Sequence, residues 1–450
     1  GAANSYQRYC SSAHSQRMEC RLSDSNFKKF IEMNLLWICQ KLPPEADALI
    51  GGQKELKNTG GWILGMAGEI IKHDDVQLAL LASSPLVDSL RILEGEKLRY
   101  YVLPEPKGES DKKFLDNCKH VNELFVPDVV HIHGSEYVEG LLWVLANGNT
   151  HTVVSLQGIL TSYADYYYSG MSQWDVLSNI TLRDLYRGTL FSDTKGFRKR
   201  AVFEQKLLKM VNHAIGRTFW DKAQLWAINP RAQYHFNNEI LRKNFYEGEI
   251  WRYDKCQKYT IFVNQAAVPY KGLHQLIKAL PIIKCHFPQI KVRVAGFNVC
   301  DMGFKRRIMR TGYGKYLIQL MRKMDVQGCI SFTGPLNAEE MKKEMLNANL
   351  FLLPSAIENS PNALGEAQML GVPCVSSRVG GVEDMIPNND LGVMYRFSDI
   401  NEMAYYICKV LDESPHFDNA NMRKQAATRH DRDANSSELL SIYKTLCSSE

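Results

Sequence analysis

The chain has 450 residues, of which 45% are hydrophobic and 23% are charged. These are ordinary globular values, and they exclude a wholly disordered chain, a collagen and a disulfide scaffold. The net charge of +5 is small for this length, so it does not indicate nucleic-acid binding, although an anionic membrane surface or a phosphorylated substrate stays compatible with it.

The first half of the chain predicts one α/β domain. Residues 1–32 are polar and without periodicity, so we expect a flexible extension. From residue 33 to residue 250, short apolar runs alternate with helical patterns, which is typical of a parallel sheet covered on both faces. Strands are predicted at 34–39, 77–83, 128–134, 151–158 and 213–218, and helices at 61–72, 114–125 and 201–212.

Residues 244–258 break this rhythm and indicate a domain boundary near residue 250. A second α/β series then covers 251–425, and a helical segment, 426–450, ends the chain. Two doubly wound units in tandem enclose a cleft, so functional side chains should follow the strands. In the second unit, strands are predicted at 259–264, 291–296, 330–334, 350–355 and 373–377, and helices at 272–280, 315–324, 337–348 and 362–370, with the terminal helix at 435–447.

The densest motif is PSAIENSPNALGEAQMLGVP, residues 354–373. Ser360 suits a helix N-cap and Pro361 the first helical position. The backbone N–H groups of Asn362, Ala363 and Leu364 would then face the loop and, with the positive helix end, favour a phosphate.

Two carboxylates flank this helix start. Glu366 lies one turn into the helix, where it could accept both hydroxyls of a ribose. Glu358 lies in the preceding loop, at an exposed mouth, where it could accept hydroxyls of a sugar. The alternative is that both are solvent-exposed acids stabilised by the helix dipole.

The spacing Glu358–x7–Glu366, with Ser-Pro-Asn between them and Gly-x-Pro after, resembles the E-x7-E retaining glycosyltransferases of the GT-B fold (group 1, family 4 type). The resemblance runs from about residue 33 to the C-terminus and is strongest over 259–386. It implies two Rossmann-like domains facing a cleft, the second holding a nucleotide sugar, and a C-terminal helix that returns to the first domain. It also implies that Glu366 holds the nucleotide ribose and Glu358 the donor sugar.

The family clamps the donor pyrophosphate with an Arg and a Lys six residues apart. Lys271 matches the Lys, but residue 265 is Gln, which donates a hydrogen bond and brings no charge. Arg217 is a candidate to replace the missing clamp arginine, and Arg242 is a weaker one. The alternative for Arg217 is a structural ion pair with an acid such as Asp221. Gly296 and Gly334 lie at strand ends. In the family, loops at these places flank the nucleobase; the alternative is that both residues are turn glycines.

In the first domain, the Gly60-Gly61 loop corresponds to the loop that approaches the donor phosphates in the family. His133 matches a strand-end His that contacts the donor sugar or the acceptor. A metal site shared with His131 lacks an evident third ligand, and a buried strand-end His is the other alternative. Gln157 and Tyr163 are candidates for acceptor binding.

Residues 163–200 are rich in Tyr and basic side chains. Aromatic rings suit sugar stacking or a membrane interface, and the basic residues suit phosphate or anionic lipid. An ordinary packed loop with a solvated basic face is an equal alternative.

These observations predict a retaining hexosyltransferase that moves a sugar from a nucleotide diphosphate sugar to a saccharide or lipid-linked acceptor in surface-polysaccharide or glycoconjugate biosynthesis. No metal or other cofactor is expected, because the resemblance implies none and no D-x-D diphosphate–metal motif is evident. The alternatives are an inverting transferase, a GT-B phosphorylase, and a non-catalytic nucleotide or sugar binder with a degenerate clamp.

The sequence also predicts where the protein works. It has eleven scattered cysteines without C-x-x-C, and it has no run of about 18 apolar residues. We therefore expect a cytoplasmic protein, at most peripheral on the inner face of a membrane.

Overall fold

A computed structural model of the chain describes residues 33–52, 61–300, 303 and 309–448. The predicted extension, 1–32, and Gly60 lie outside this part. Two parallel sheets organise the described residues, one in each half of the chain. Each sheet is buried by helices on both faces, as a continuous parallel sheet requires.

The first sheet has eight strands in the order β3-β4-β2-β1-β5-β6-β7-β8, all parallel except β3, which pairs antiparallel with β4. Its central strand, β1, has the sequence MNLLWIC and is almost entirely buried, because a central parallel strand carries apolar side chains on both faces. The strands are β1 (Met33–Cys39), β2 (Val76–Ser84), β3 (Arg91–Glu94), β4 (Arg99–Pro104), β5 (Val129–His133), β6 (Thr152–Ser155), β7 (His213–Gly216) and β8 (Gln233–Phe236).

The helices of this half cover the sheet and fill the long connection between β6 and β7. They are α1 (Pro44–Leu49), α2 (Gly61–Ile70), α3 (Lys112–Phe125), α4 (Val138–Asn147), α5 (Leu160–Asp165), α6 (Gln173–Ser178), α7 (Leu182–Arg187), α8 (Leu190–Met210) and α9 (Phe219–Ile228).

The second sheet has six strands in the order β11-β10-β9-β12-β13-β14, all parallel. Its strands are β9 (Gln257–Val263), β10 (Lys291–Ala295), β11 (Ile330–Gly334), β12 (Ala348–Leu353), β13 (Cys374–Ser377) and β14 (Val393–Tyr395). The α-helices are α10 (Leu273–His286), α11 (Gly312–Lys323), α12 (Ala338–Asn347), α13 (Asn362–Leu370), α14 (Val382–Met385), α15 (Ile400–Glu413), α16 (Asn419–Arg429) and α17 (Arg432–Ser448). Short 3-10 turns lie at Lys243–Phe245, Pro269–Lys271, Gln327–Cys329, Asn389–Leu391 and Ser414–His416.

The C-terminal helix α17 returns to the first half of the chain. Leu439, Ile442 and Leu446 on α17 are buried in the core formed by β1 and β2. The hydroxyl of Tyr443 lies 2.6 Å from Nδ1 of His131, in the middle of β5. The last helix therefore ties the two halves together, as the resemblance implies.

The structure adds elements that the sequence pattern did not predict. Strands β3 and β8 carry mostly exposed or half-buried side chains, so they lack the apolar run of a central strand. The largely buried strand β4 and the three-residue strand β14 were also not predicted. The basic-aromatic segment, 163–200, is not a loop: it contains α6, α7 and the first half of α8, capped by Ser172, Thr181 and Thr189. Among the described residues, no helix is long and apolar enough to cross a membrane.

The packing of α17 makes a prediction for stability. Leu446 is buried, so Leu446→Ala should lower the free energy of unfolding by about 2–5 kcal/mol. Lys444→Ala, at an exposed position of the same helix, should change it by less than about 0.5 kcal/mol. Urea unfolding followed by circular dichroism measures both variants. Equal effects would mean that α17 does not pack against the first sheet.

Candidate active site

The loop after β12 carries Glu358 to the carboxyl edge of the second sheet. Glu358 is only 6% exposed, so it does not lie at an open mouth as the sequence suggested, and it is not a solvated surface acid. Its Oε1 atom accepts hydrogen bonds from Nζ of Lys271 and from Oγ of Ser355, both at 2.6 Å. A buried carboxylate needs such partners, because removing its charge from water is costly.

Lys271 reaches Glu358 because of the residue that follows it. Gly272 has φ +76°, and a Cβ at this position would lie 1.7 Å from the carbonyl oxygen of Pro354. Only glycine allows the start of α10 to approach the β12 loop so closely. Burial lowers the pKa of Lys271, but the charge of Glu358 and its hydrogen bond outweigh burial and raise it, so the ammonium stays charged.

Helix α13 spans the predicted residues 362–370, but its N-cap lies one residue later than predicted. Pro361, with φ −70° and ψ 112°, is the N-cap residue and Asn362 is the first helical residue. Ser360 does not cap the helix, and its Oγ lies 3.5 Å from Sδ of Met385. The first N–H groups of a helix have no intrahelical carbonyl partner, although that of Leu364 donates to the Pro361 carbonyl at 3.0 Å. Asn362 and Ala363 are the first two residues of the helix, and anion binding by their N–H groups stays a prediction.

Glu366 on α13 is 3% exposed and forms a bidentate ion pair with Arg242. Nε of Arg242 donates to Oε1 at 2.6 Å, and the second guanidinium nitrogen donates to Oε2 at 2.7 Å. Burial raises the pKa of Glu366, and Arg242 opposes this rise. Both oxygens predicted to receive a ribose are thus occupied by a guanidinium from the connection between the two sheets.

Asn359, next to Glu358, joins the two halves of the chain. Its amide nitrogen donates to the Leu156 carbonyl at 3.2 Å and to Oδ2 of Asp221 at 2.9 Å. Its amide oxygen accepts from Thr218 at 2.7 Å. Gly380 makes room for this loop, because a Cβ there would lie 1.9 Å from the Glu358 carbonyl oxygen. The loop that carries Glu358 is therefore fixed between both domains.

Arg217, at the end of β7, is buried and pairs with Glu239 at 2.7 Å. The sequence suggested Asp221 as the acid, but the Asp221 carboxylate accepts the backbone N–H of Arg217 at 2.9 Å. Glu239 also accepts hydrogen bonds from Gln157 and from Asn362, each at 2.8 Å. This network links the first-domain strand ends to the start of α13.

His133 is buried at the end of β5, with its ring 4.4 Å from Trp37 and 3.8 Å from His131 between centroids. Burial lowers the pKa of His133 to about 3, so the imidazole is neutral. His131 is engaged by Tyr443 and Ser155, each at 2.6 Å, which opposes a metal site at this pair. Among the residues with assigned structure, no group of three His, Cys, Asp or Glu could hold a metal ion.

A cavity of about 190 Å³ lies between the domains. The predicted acceptor residues Gln157 and Tyr163 line it, and the ring of Tyr163 lies 5.8 Å from that of Tyr270, beside Lys271. Its charged lining residues are Glu136 and Arg200. His133 does not line this cavity; it lines a smaller one of about 30 Å³ that also contains Gln157 and Arg217.

The remaining predicted residues occupy separate places. Gln265 is exposed just after β9, and Gly61 is the first residue of α2. Gly296 and Gly334 meet through a backbone hydrogen bond of 3.0 Å, and both have positive φ, as turn glycines do.

Sequence reasoning missed Glu136, Glu239 and Tyr270, and it included Arg200 only as part of the basic segment 163–200. Glu136 follows the His133 strand by three residues and was the most accessible of these to prediction. The others are brought to the cleft only by tertiary packing.

The pairing of Arg242 with Glu366 gives a prediction. Arg242→Met should lower the free energy of unfolding by about 1.5–3 kcal/mol, because it leaves a buried carboxylate without its charged partner. The double variant Arg242→Met/Glu366→Gln should recover part of this loss, since no charge stays buried. Urea unfolding measures both, with Arg322→Met as an exposed control. A single variant as stable as the control would contradict the ion pair.

Glu136 gives a pH prediction. Burial raises its pKa to about 7, against the hydrogen bond from Gln40 and the charges of Arg200 and Arg217. The folded chain therefore binds an extra proton between about pH 4.5 and 7, and its stability falls as the pH rises through this window. Glu136→Gln should lose less stability between pH 5 and pH 8 than wild type. Urea midpoints at both values test this, with exposed Glu123→Gln as control, and equal losses in all three proteins would contradict it.

The chain is similar to known proteins in sequence and in fold. Residues 249–430 match the family model of glycosyl transferases group 1. The gpi3 subunit of phosphatidylinositol N-acetylglucosaminyltransferase from Schizosaccharomyces pombe is 25% identical over 42% of this chain, but the match spans only 40% of that protein. The 2-deoxystreptamine N-acetyl-D-glucosaminyltransferase of Niallia circulans is 21% identical over 80% of this chain and 88% of its own length.

Solved structures show the same fold. Sucrose-phosphate synthase from Thermosynechococcus elongatus superposes with a TM-score of 0.67 at 15% identity, over 93% of this chain and all of that chain. HepE from Anabaena, solved with UDP and glucose, gives 0.61 at 14% identity, over 92% of this chain and all of that chain. Residues 249–430 thus resemble the glycosyl transferases group 1 family, and the two parallel-sheet domains have the GT-B fold.

Proposed function

We propose that the protein is a retaining glycosyltransferase. It moves a hexosyl group from a nucleotide diphosphate sugar to a hydroxyl of a saccharide or lipid-linked acceptor, in surface-polysaccharide or glycoconjugate biosynthesis. One observation carries this proposal: the 2.6 Å contact between Lys271 and Glu358, beside the start of α13 and facing the first domain. An ammonium and a helix N-terminus match the negative charge of a diphosphate, and a carboxylate beside them can accept hydrogen bonds from sugar hydroxyls.

The donor binds to the second domain in this proposal. Glu366 accepts the ribose hydroxyls once Arg242 withdraws, and Lys271 with the amides of Asn362 and Ala363 holds the diphosphate. The released guanidinium of Arg242 then adds the positive charge that Gln265 lacks. Gly296 and Gly334 flank the base, and the Gly60-Gly61 loop approaches the phosphates. HepE, solved with UDP and glucose on the same fold, supports a nucleotide sugar as donor.

The chemistry follows from these charges. As the bond between the sugar carbon and the diphosphate oxygen breaks, Lys271 and the α13 amides stabilise the leaving diphosphate. Glu358 accepts hydroxyls of the sugar and offsets its developing positive charge. The acceptor hydroxyl attacks from the same face and passes its proton to the leaving phosphate oxygen, so no metal is required.

The acceptor binds to the first domain in the 190 Å³ cavity, with Gln157 and Tyr163 as ligands of its hydroxyls. His133 lines the smaller neighbouring cavity, which shares Gln157 with the acceptor cavity, and from there it helps to orient the acceptor. With a pKa near 3, His133 is a weak base, which counts against the inverting alternative.

The main alternative is a non-catalytic nucleotide or sugar binder. Only Gln265 favours it, because this substitution removes one charge from the clamp.

We further propose that the protein works in the cytoplasm, peripheral on the inner face of a membrane. The nine described cysteines are free thiols, which supports a reducing compartment.

A donor-turnover assay tests the transferase proposal. The protein, incubated with UDP-, GDP-, ADP- and TDP-sugars in turn, should release the nucleoside diphosphate from one donor class. Glu358→Gln and Lys271→Met should each lower this rate about 10²–10³-fold, because each removes a charge preorganised for the transition state. Exposed Glu413→Gln and Lys323→Met serve as matched controls. If the protein binds a donor but releases no nucleoside diphosphate from any of the donors, the non-catalytic binder is favoured.

The retaining mechanism has its own test. The glycoside formed from an α-linked donor sugar should also be α, which proton NMR of the anomeric signal records during the first turnovers. A β product would contradict the same-face mechanism while leaving transfer itself intact.

A further inference from the structure

The connection between β6 and β7 presents an unusual surface. Two short helices in it carry large apolar side chains that point to solvent. Trp174 and Leu177 on α6 are 74% and 51% exposed. Leu182, Leu185 and Tyr186 on α7 are 86%, 70% and 88% exposed. Such spacings, i, i+3 and i+4, place each set on one face of its helix.

These helices are held firmly from their other side. Val176 and Asp184 are buried, and Oγ1 of Thr181 donates to the Arg310 carbonyl at 2.9 Å. Nζ of Lys315 on α11 donates to the Ser178 carbonyl at 3.0 Å. The second domain therefore supports α6 and α7, so their apolar faces are displayed by a fixed framework.

The next helix adds charge. On α8, Lys195, Arg198 and Lys199 are exposed, and their spacing places them on one face together with Phe191. Arg187, exposed at the end of α7, adds a fourth positive charge. The exposed acids of this stretch are Asp193, on α8, and Asp165, which lies 3.8 Å from Arg198 in a weak solvent-exposed pair, so the positive charges outnumber them.

We propose that the outward face of α6, α7 and the first half of α8, called here the docking face, binds the surface of an anionic lipid bilayer. Apolar and aromatic side chains beside lysine and arginine are the composition of interfacial membrane binding. The rings and Leu side chains enter the headgroup region, and the basic side chains pair with lipid phosphates. Charge complementarity with an anionic bilayer selects this occupant over an uncharged protein surface.

The docking face also continues into the acceptor cavity. Phe197 and Arg200 on α8 line that cavity, and the Arg200 guanidinium lies 4.5 Å from the Phe197 ring centroid. Arg200 lies about 14 Å along the helix axis from Phe191. Binding through this face therefore brings the cavity within reach of a lipid-linked acceptor in the membrane. This last step rests on the proposed transferase function, whereas bilayer binding does not.

Vesicle sedimentation of the full chain tests the docking face. Wild type should sediment with phosphatidylglycerol vesicles and remain in solution with phosphatidylcholine vesicles, and 0.5 M NaCl should weaken the binding. The variants Leu182→Ser/Leu185→Ser/Tyr186→Ser and Lys195→Gln/Arg198→Gln/Lys199→Gln should each lower the partition coefficient about tenfold or more.

Matched controls change other exposed apolar or basic residues elsewhere on the surface. Leu145→Ser/Trp226→Ser/Tyr405→Ser and Arg322→Gln/Lys323→Gln/Lys409→Gln should sediment like wild type. Unfolding midpoints verify that every variant is folded. Equal sedimentation of wild type and the two docking-face variants would overturn the proposal. So would a dimer that the Ser variant abolishes while wild type binds no vesicle, since the face would then bind a second copy.

The outcome is separable from the transferase proposal. Donor turnover in solution, without vesicles, reports on Lys271 and Glu358 alone. Vesicle binding without turnover supports the docking face and contradicts the transferase, and turnover without vesicle binding does the reverse.

Discussion

The loop between β12 and α13 is the constraint on which the site depends, because it is bonded to both domains at once. Glu358 pairs with Lys271 in the second domain, and the adjacent Asn359 bonds to Leu156 and Asp221 in the first. Any shift of one domain against the other therefore moves the loop that holds the buried Lys271–Glu358 contact. Breaking a buried ion pair is strongly destabilising, so this loop restrains the two domains against each other.

A second charged contact closes the site from the other side. Arg242, in the connection between the sheets, occupies both oxygens of Glu366. A ribose would have to replace a bidentate ion pair with two hydroxyl hydrogen bonds, which is favourable only if the guanidinium finds another anion. The diphosphate of the proposed donor is such an anion. In this account, donor binding exchanges one partner of Arg242 for another and needs no second clamp arginine.

Local signals predicted most of the fold, and the motif around α13 was nearly complete in the sequence. Most strands with apolar runs were found, whereas the edge strands β3 and β8 were missed because strands with exposed or half-buried side chains lack this pattern. Strand β4 was missed although it lies inside the sheet and is largely buried. Glu358 and Glu366 were identified from spacing, but their burial and their partners Lys271 and Arg242 were not. Those contacts join residues 87 and 124 positions apart, and no local rule fixes such pairs.

The central claim is that Glu366 is a nucleotide ligand held by Arg242 until a donor arrives. Thermal unfolding without metal, against UDP, GDP, ADP, TDP and CMP, tests it most directly in wild type and Glu366→Ala. One nucleoside diphosphate at about 100 times its Kd should add roughly 2.7 kcal/mol to wild type and raise the midpoint by about 2–4 °C. Glu366→Ala should lose that shift, while exposed Glu413→Ala keeps it. The absence of a shift with every nucleotide, in a cooperatively folding sample, would contradict the account.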